Sequence, residues 1–200
     1  CADKAPSFTG FYAGGNIGTE ARGTQYNILS GSANNQFNKN QVGMAFGVFA
    51  GYGRLMTKSF YLGGELYIYG TTANKSEKLV DQNSSALQVK YDRGAVFGCA
   101  VRLGHVLDVN TLAYAKLGAE LSKDTATLVN NGNTLVKISQ AIPAFAPGFG
   151  FEHKFNRIIG GIEYSYSIGR KVGKKYANDA SKLNVQRKSH NVTFRVAYQF

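Results

Sequence analysis

Residues 191–200 alternate without a break. Val192, Phe194, Val196, Tyr198 and Phe200 share one parity, while Asn191, Thr193, Arg195, Ala197 and Gln199 share the other. A repeat of two marks an extended strand with two unlike faces. The same pattern recurs along the chain. Val42, Met44, Phe46, Val48, Ala50 and Tyr52 alternate with small residues through 41–53. Phe60, Leu62, Leu66 and Ile68 stand opposite Tyr61, Glu65, Tyr67 and Tyr69. Further runs fall at about 9–18, 88–104, 111–121, 141–154 and 158–168, which makes eight in all. Pro143 and Pro147 weaken the run at 141–154, because proline gives no donor to a ladder.

The spacing between runs alternates as well. Connectors at about 54–58, 105–110 and 155–157 are short; those at about 19–40, 70–87, 122–140 and 169–190 are long and polar. Long and short connectors in strict turn are the plan of a small outer-membrane barrel, with long loops outside and short turns on the periplasmic side. No apolar run reaches the roughly 18 residues that a membrane helix needs. Two cysteines, Cys1 and Cys99, make no disulfide framework.

A soluble sandwich would alternate too, so the polar face has to decide. It is read here as mostly Gly, Ala, Ser and Asn, with widely spaced single charges, which suits the narrow interior of a closed eight-stranded barrel. The apolar face carries no charge at the segment centres. The expected fold is all-β: an eight-stranded antiparallel up-and-down transmembrane β-barrel over residues 9–200, with 1–8 as a periplasmic tail. Tyr52, Phe60, Tyr91, Phe151, Tyr164, Tyr166, Tyr198 and Phe200 are expected in the interfacial aromatic girdles.

Several stretches resemble the eight-stranded outer-membrane β-barrel domain family of Gram-negative bacteria, the opacity-like and small porin-like surface proteins. They are Gly10-Phe11-Tyr12-Ala13-Gly14-Gly15-Asn16-Ile17-Gly18, Val101-Arg102-Leu103-Gly104, Ala113-Tyr114-Ala115-Lys116-Leu117-Gly118-Ala119 and the closing Phe194-Arg195-Val196-Ala197-Tyr198-Gln199-Phe200. The resemblance implies a multi-pass outer-membrane location with the long loops extracellular. It also implies that Tyr198 and Phe200 form the signal read by the outer-membrane assembly machinery. It does not imply one shared function. Adhesins, haem binders and a few enzymes share the architecture.

Parity places Glu65, Arg102, Lys116, Glu120, Glu152, Glu163 and Arg195 inward. Charges confined there are expected to pair, since isolated buried charges are costly. Glu163 with Arg195 and Glu65 with Arg102 are the expected neighbours, and Lys116 is expected to meet the strand of Arg102 or that of Glu152. Such a network plugs the lumen, unless it lines a narrow porin-like channel.

His105, His153 and His190 lack zinc-ligand spacing, and Ser189-His190 is the one local hint of a nucleophile and base. The chain is therefore read as non-enzymatic, with no cofactor. Cys1 fits either a lipidated residue left by lipoprotein cleavage or an ordinary residue beside a cleavage site.

The excess of 23 Lys and Arg over 12 Asp and Glu concentrates in the last long connector. Arg170, Lys171, Lys174, Lys175, Lys182, Arg187 and Lys188 stand there against Asp179 alone. A basic outer surface attracts anions. The expected partners are outer-membrane lipid and the phosphates of lipopolysaccharide. The alternatives are a sulfated host glycan, which would make the protein an adhesin, or haemin. Nucleic acid is not expected, because no reading element accompanies the charge. The barrel is expected to be a monomer.

Overall fold

The computed structural model describes residues 8–30, 33–72, 75–80, 86–130, 133–170, 172–175 and 181–200, with side chains for 8–23, 41–72, 94–123, 141–170 and 188–200. Its strands are β1 (Gly10–Ser30), β2 (Ala33–Leu55), β3 (Phe60–Thr71), β4 (Lys75–Val80), β5 (Ala86–Asp108), β6 (Thr111–Asn130), β7 (Asn133–Phe155), β8 (Ile158–Gly169), β9 (Val172–Lys175) and β10 (Ser181–Gln199). Neighbours along the chain pair antiparallel, and β1 pairs with β10 to close the wall. The strand β4 continues the line of β3 along β5, and β9 continues β8 along β10, so the ten strands form eight staves.

The turns at one end are tight. Two residues, Asn156 and Arg157, join β7 to β8, with Asn156 at φ 57°. Asparagine tolerates this left-handed conformation better than most residues. In the β2–β3 turn Thr57 Oγ1 accepts the Phe60 N–H at 3.0 Å. Gln199 N–H donates to Arg157 O and Phe200 N–H to Phe11 O, which ties the last strand to both neighbours.

The other end differs from the sequence expectation. The connectors expected over 19–40, 122–140 and 169–190 are largely strand. The ladder β1–β2 runs to Ser30↔Ala33, β6–β7 to Asn130↔Asn133 and β1–β10 to Ser30↔Ser181. Polar composition reads as loop there, but a hairpin projecting into water needs no apolar face. A 23-residue strand such as β5 is roughly 75 Å long at 3.3 Å per residue. Tilted at about 40°, it rises well above an apolar band of about 25 Å.

The alternation is complete on β3, where Leu62, Leu66 and Ile68 are exposed and Tyr61, Glu65, Tyr67 and Tyr69 are buried. Phe46, Val48, Leu117, Phe149, Phe194 and Val196 extend the outward apolar surface around the wall. An exposed apolar surface of this extent needs lipid against it. Tyr52, Phe60, Phe151, Tyr198 and Phe200 lie on this outer face, with Tyr164 and Tyr166 half-buried beside His190. The side chain of Tyr91 is outside the described residues.

Residues 1–7 are outside the described residues, Cys1 among them. Phe8, assigned by the sequence to the tail, is 3% exposed and joins the core cluster with Leu112, Ile159 and Ala197.

Candidate functional site

The interior is not lined by small residues alone. Tyr12, Phe49, Tyr61, Tyr67, Tyr69 and Tyr114 all point inward and are buried. Glycines make room for them. A Cβ at Gly51 would strike the ring of Tyr12, at Gly53 that of Tyr61, at Gly98 that of Tyr67, and at Gly150 that of Tyr114. Rings thus lie against bare backbone, which lets eight staves hold large side chains in a narrow lumen.

The hydroxyls and rings surround a charge cluster. Arg102 on β5 is 1% exposed, and its Nη2 lies 2.6 Å from Glu152 Oε1 on β7. Its Nη1 donates to Tyr12 Oη at 3.0 Å and approaches Glu65 Oε2 at 3.5 Å. Its guanidinium centre sits 3.7 Å from the centroid of the Tyr114 ring. Arg195 on β10 spans three acids: Glu163 at 2.6 Å, Glu65 at 2.5 Å and Glu152 at 3.5 Å. Its guanidinium also lies 3.9 Å from the Phe49 ring centroid. Lys116 Nζ donates to Glu163 Oε1 at 2.8 Å and Glu65 Oε1 at 3.4 Å. Tyr114 Oη donates to Glu163 Oε2 at 2.8 Å.

Three acids, Glu65, Glu152 and Glu163, therefore meet three bases, Arg102, Lys116 and Arg195. The cluster is neutral at neutral pH, and its members come from β3, β5, β6, β7, β8 and β10. Burial of this kind is tolerable only with such mutual compensation and hydrogen bonding. Lys116 stands opposite Arg102 in the β5–β6 ladder, but its ion pairs go to neither the strand of Arg102 nor that of Glu152. Its chain runs across the lumen to Glu65 and Glu163 and lies over the Tyr67 ring, its Nζ 4.1 Å from the centroid. Strand adjacency misleads here, because a long cation in a narrow barrel finds partners across the bore.

Glu120 belongs to a separate layer. It accepts Ser167 Oγ at 2.6 Å, Tyr67 Oη at 3.2 Å and Tyr69 Oη at 3.4 Å. A cavity of about 20 Å³ lies between this layer and the cluster, lined by Lys116, Glu120, Glu163 and Asn191 among others. That is room for about one water molecule. Glu20 and Arg22 form a further buried pair at 3.1 Å. Both fall in the connector expected over 19–40, because the apolar alternation read from the sequence stops at about residue 18.

No family model matches the chain, and no curated protein sequence matches it significantly. Solved structures do match. The outer-membrane protease OmpT from Escherichia coli aligns with a TM-score of 0.54 at 8% identity, covering 100% of this chain and 100% of that one. This likeness is one of fold. The fold is that of an outer-membrane β-barrel. Neisserial surface protein A aligns at TM-score 0.45 and 17% identity, over 96% of this chain and 98% of its own. The attachment invasion locus protein Ail of Yersinia pestis aligns at TM-score 0.40 and 13% identity, over 93% and 99%.

Within this outer-membrane barrel the remaining sequence candidates are dispersed. His105 and His190 are exposed and His153 is half-buried against Phe155, on separate strands. Ser189 is buried inward, whereas His190 faces outward and accepts or donates at 2.8 Å with Tyr164 Oη. Nucleophile and base thus lie on opposite sides of the wall. Among the described residues no group of three or more His, Cys, Asp or Glu is placed to hold a metal ion. Cys99 is a free, exposed thiol on the apolar outer face.

Lys174, Lys175, Lys182, Arg187 and Lys188 lie on strands. Lys174 and Lys175 are in β9 and pair with Leu183 and Lys182 of β10. Arg187 and Lys188 pair with Thr24 and Gly23 of β1. Arg170 follows β8, and Lys171 is outside the described residues.

Proposed function

We propose that this protein is a monomeric, non-enzymatic barrel of the opacity-like or small porin-like kind, its lumen plugged and its outer hairpins serving envelope structure or surface interaction. The observation that carries this reading is the neutral cluster of Glu65, Glu152, Glu163, Arg102, Lys116 and Arg195. An ion crossing the bore would have to separate buried pairs, at several kcal/mol each. Planar-bilayer recordings of the detergent-folded protein test the reading. The expected result is no reproducible conductance. Stable unit conductance would make the same six inward charges a narrow selectivity path.

A second reading assigns anion capture to the outer hairpin. Its support is the facing of Lys175 and Lys182 across the β9–β10 ladder, a like-charge pair that costs stability unless an anion attends it. Lipopolysaccharide phosphate is the proposed resident anion, with a sulfated glycan or haemin as alternatives. Heparin binding lost on neutralising Lys171, Lys174 and Lys175, with folding intact, would favour adhesion. Tyr198 and Phe200 are proposed as the assembly signal. Both are exposed at the open end of the last strand, their rings 5.3 Å apart.

A further inference from the structure

The wall is closed through the membrane but not above it. The β2–β3 seam ends at Met44, whose carbonyl accepts Thr72 N–H at 2.9 Å and whose N–H donates to Thr72 Oγ1 at 3.0 Å. The β7–β8 seam ends at Pro143, whose carbonyl accepts Arg170 N–H at 3.1 Å. Beyond these points, among the described residues, β2 pairs only with β1, β4 only with β5, β7 only with β6 and β9 only with β10. Among the described residues the outer part of the barrel is thus two four-stranded sheets, β2-β1-β10-β9 and β4-β5-β6-β7, with a gap in the ladder between β2 and β4 and another between β7 and β9.

Four strand edges face those gaps, and they are unequal. The strands β4 and β9 are short, with 6 and 4 residues. The free part of β2, residues 33–43, carries four Asn, a residue type depleted in strands. The free part of β7, Asn133-Thr134-Leu135-Val136-Lys137-Ile138-Ser139-Gln140-Ala141-Ile142, is rich in β-branched residues and holds one charge. It is the edge best suited to accept another strand.

The direction of its free groups follows from the seam. The carbonyl of Pro143 points toward β8. In a strand, backbone N–H and C=O of alternate residues point the same way. Ala141, Ser139 and Lys137 therefore direct theirs into the gap, up to the register shift opposite Leu128 and Val129. Pro143 belongs to the same set, so its missing donor falls on the β8 side, at the end of the seam, and the β6 ladder keeps its bonds.

Across the gap stands β9, which carries Lys174 and Lys175. We infer that this gap takes an extended acidic polypeptide, added as a strand to the β7 edge with its carboxylates drawn to the lysines of β9. Main-chain hydrogen bonds supply affinity in such strand addition, and charge selects the partner. The inference goes beyond the plugged-barrel reading and stands whether or not the lumen conducts.

The test uses the detergent-folded full chain and a fluorescent decapeptide of alternating Glu and Val. Saturable binding is expected, with slowed amide exchange at Lys137, Ser139 and Ala141. Ser139→Pro removes an N–H that points into the gap and leaves the β6 ladder intact. It should weaken binding about tenfold or more. The same peptide N-methylated at alternate residues should fail to bind the unaltered protein, which keeps the test decisive if Ser139→Pro misfolds. Lys174→Glu with Lys175→Glu should also weaken binding, and a Lys–Val peptide should not bind. The inference is overturned if the Glu–Val peptide does not bind, or if the N-methylated peptide binds equally, since the contact would then be charge alone. Self-association through the β7 edge that excludes the peptide would overturn it as well.

Discussion

Arg195 of β10 meets Glu65 of β3 at 2.5 Å, although β1 and β2 stand between their strands in the wall. The contact bridges the bore. Arg195 also reaches Glu163, which lies one ladder step away on β8, since Glu163 pairs with Thr193 and Arg195 with Gly161. One guanidinium therefore joins both a wall neighbour and a residue across the lumen, and its loss strands several carboxylates at once.

Arg195→Met should lower barrel stability by about 3–5 kcal/mol, because it leaves buried acids uncompensated. Urea unfolding in detergent, followed by loss of the fast-migrating band on unheated gels, measures it. Adding Glu163→Gln restores charge balance and should recover part of the loss. Equal instability of the single and double variants would contradict a balanced cluster.

Gly98→Ala should cost about 1–3 kcal/mol, because the new methyl group would overlap the Tyr67 ring. Gly64 faces outward and a Cβ there meets nothing within 4 Å, so Gly64→Ala should fold with near-unchanged stability. Thermal unfolding of the two variants, side by side, checks the ring-on-glycine packing.

Leu117 is exposed on the lipid face, one residue from Lys116 of the cluster and so at its depth. Leu117→Arg should cost about 2–4 kcal/mol in lipid. Met56→Arg, in the short β2–β3 turn, should change stability by less than about 0.5 kcal/mol. Refolding titrations into vesicles report both. Equal costs would remove the depth dependence that a membrane barrel requires.

The faces of the staves were legible in the sequence because lipid and lumen impose opposite demands on neighbouring residues. Glu65, Arg102, Lys116, Glu120, Glu152, Glu163 and Arg195 are all buried. The lumen tyrosines were less legible. Tyr67 and Tyr114 read as stray aromatics on a polar face until their facing glycines, Gly98 and Gly150, are brought beside them by pairing. The upper hairpins were not legible either. Glu20 and Arg22 continue the inward parity past Gly18, but outside the bilayer no apolar partner face marks the continuation. Lys116 shows a further limit: register names strand neighbours, whereas the bore is narrow enough for a long side chain to cross it.

Thiol reactivity at residues 99 and 100, in vesicles and with Cys1 replaced by Ser, tests the central account most directly. Cys99 is exposed outward and Ala100 is buried inward on the same strand. Native Cys99 should react with an apolar maleimide and not with a charged thiosulfonate. Ala100→Cys, made with Cys99→Ala, should react with neither. Charged reagent at residue 99 would put the apolar face in water and contradict a membrane barrel. Charged reagent at residue 100 would put water in the bore and contradict the plug.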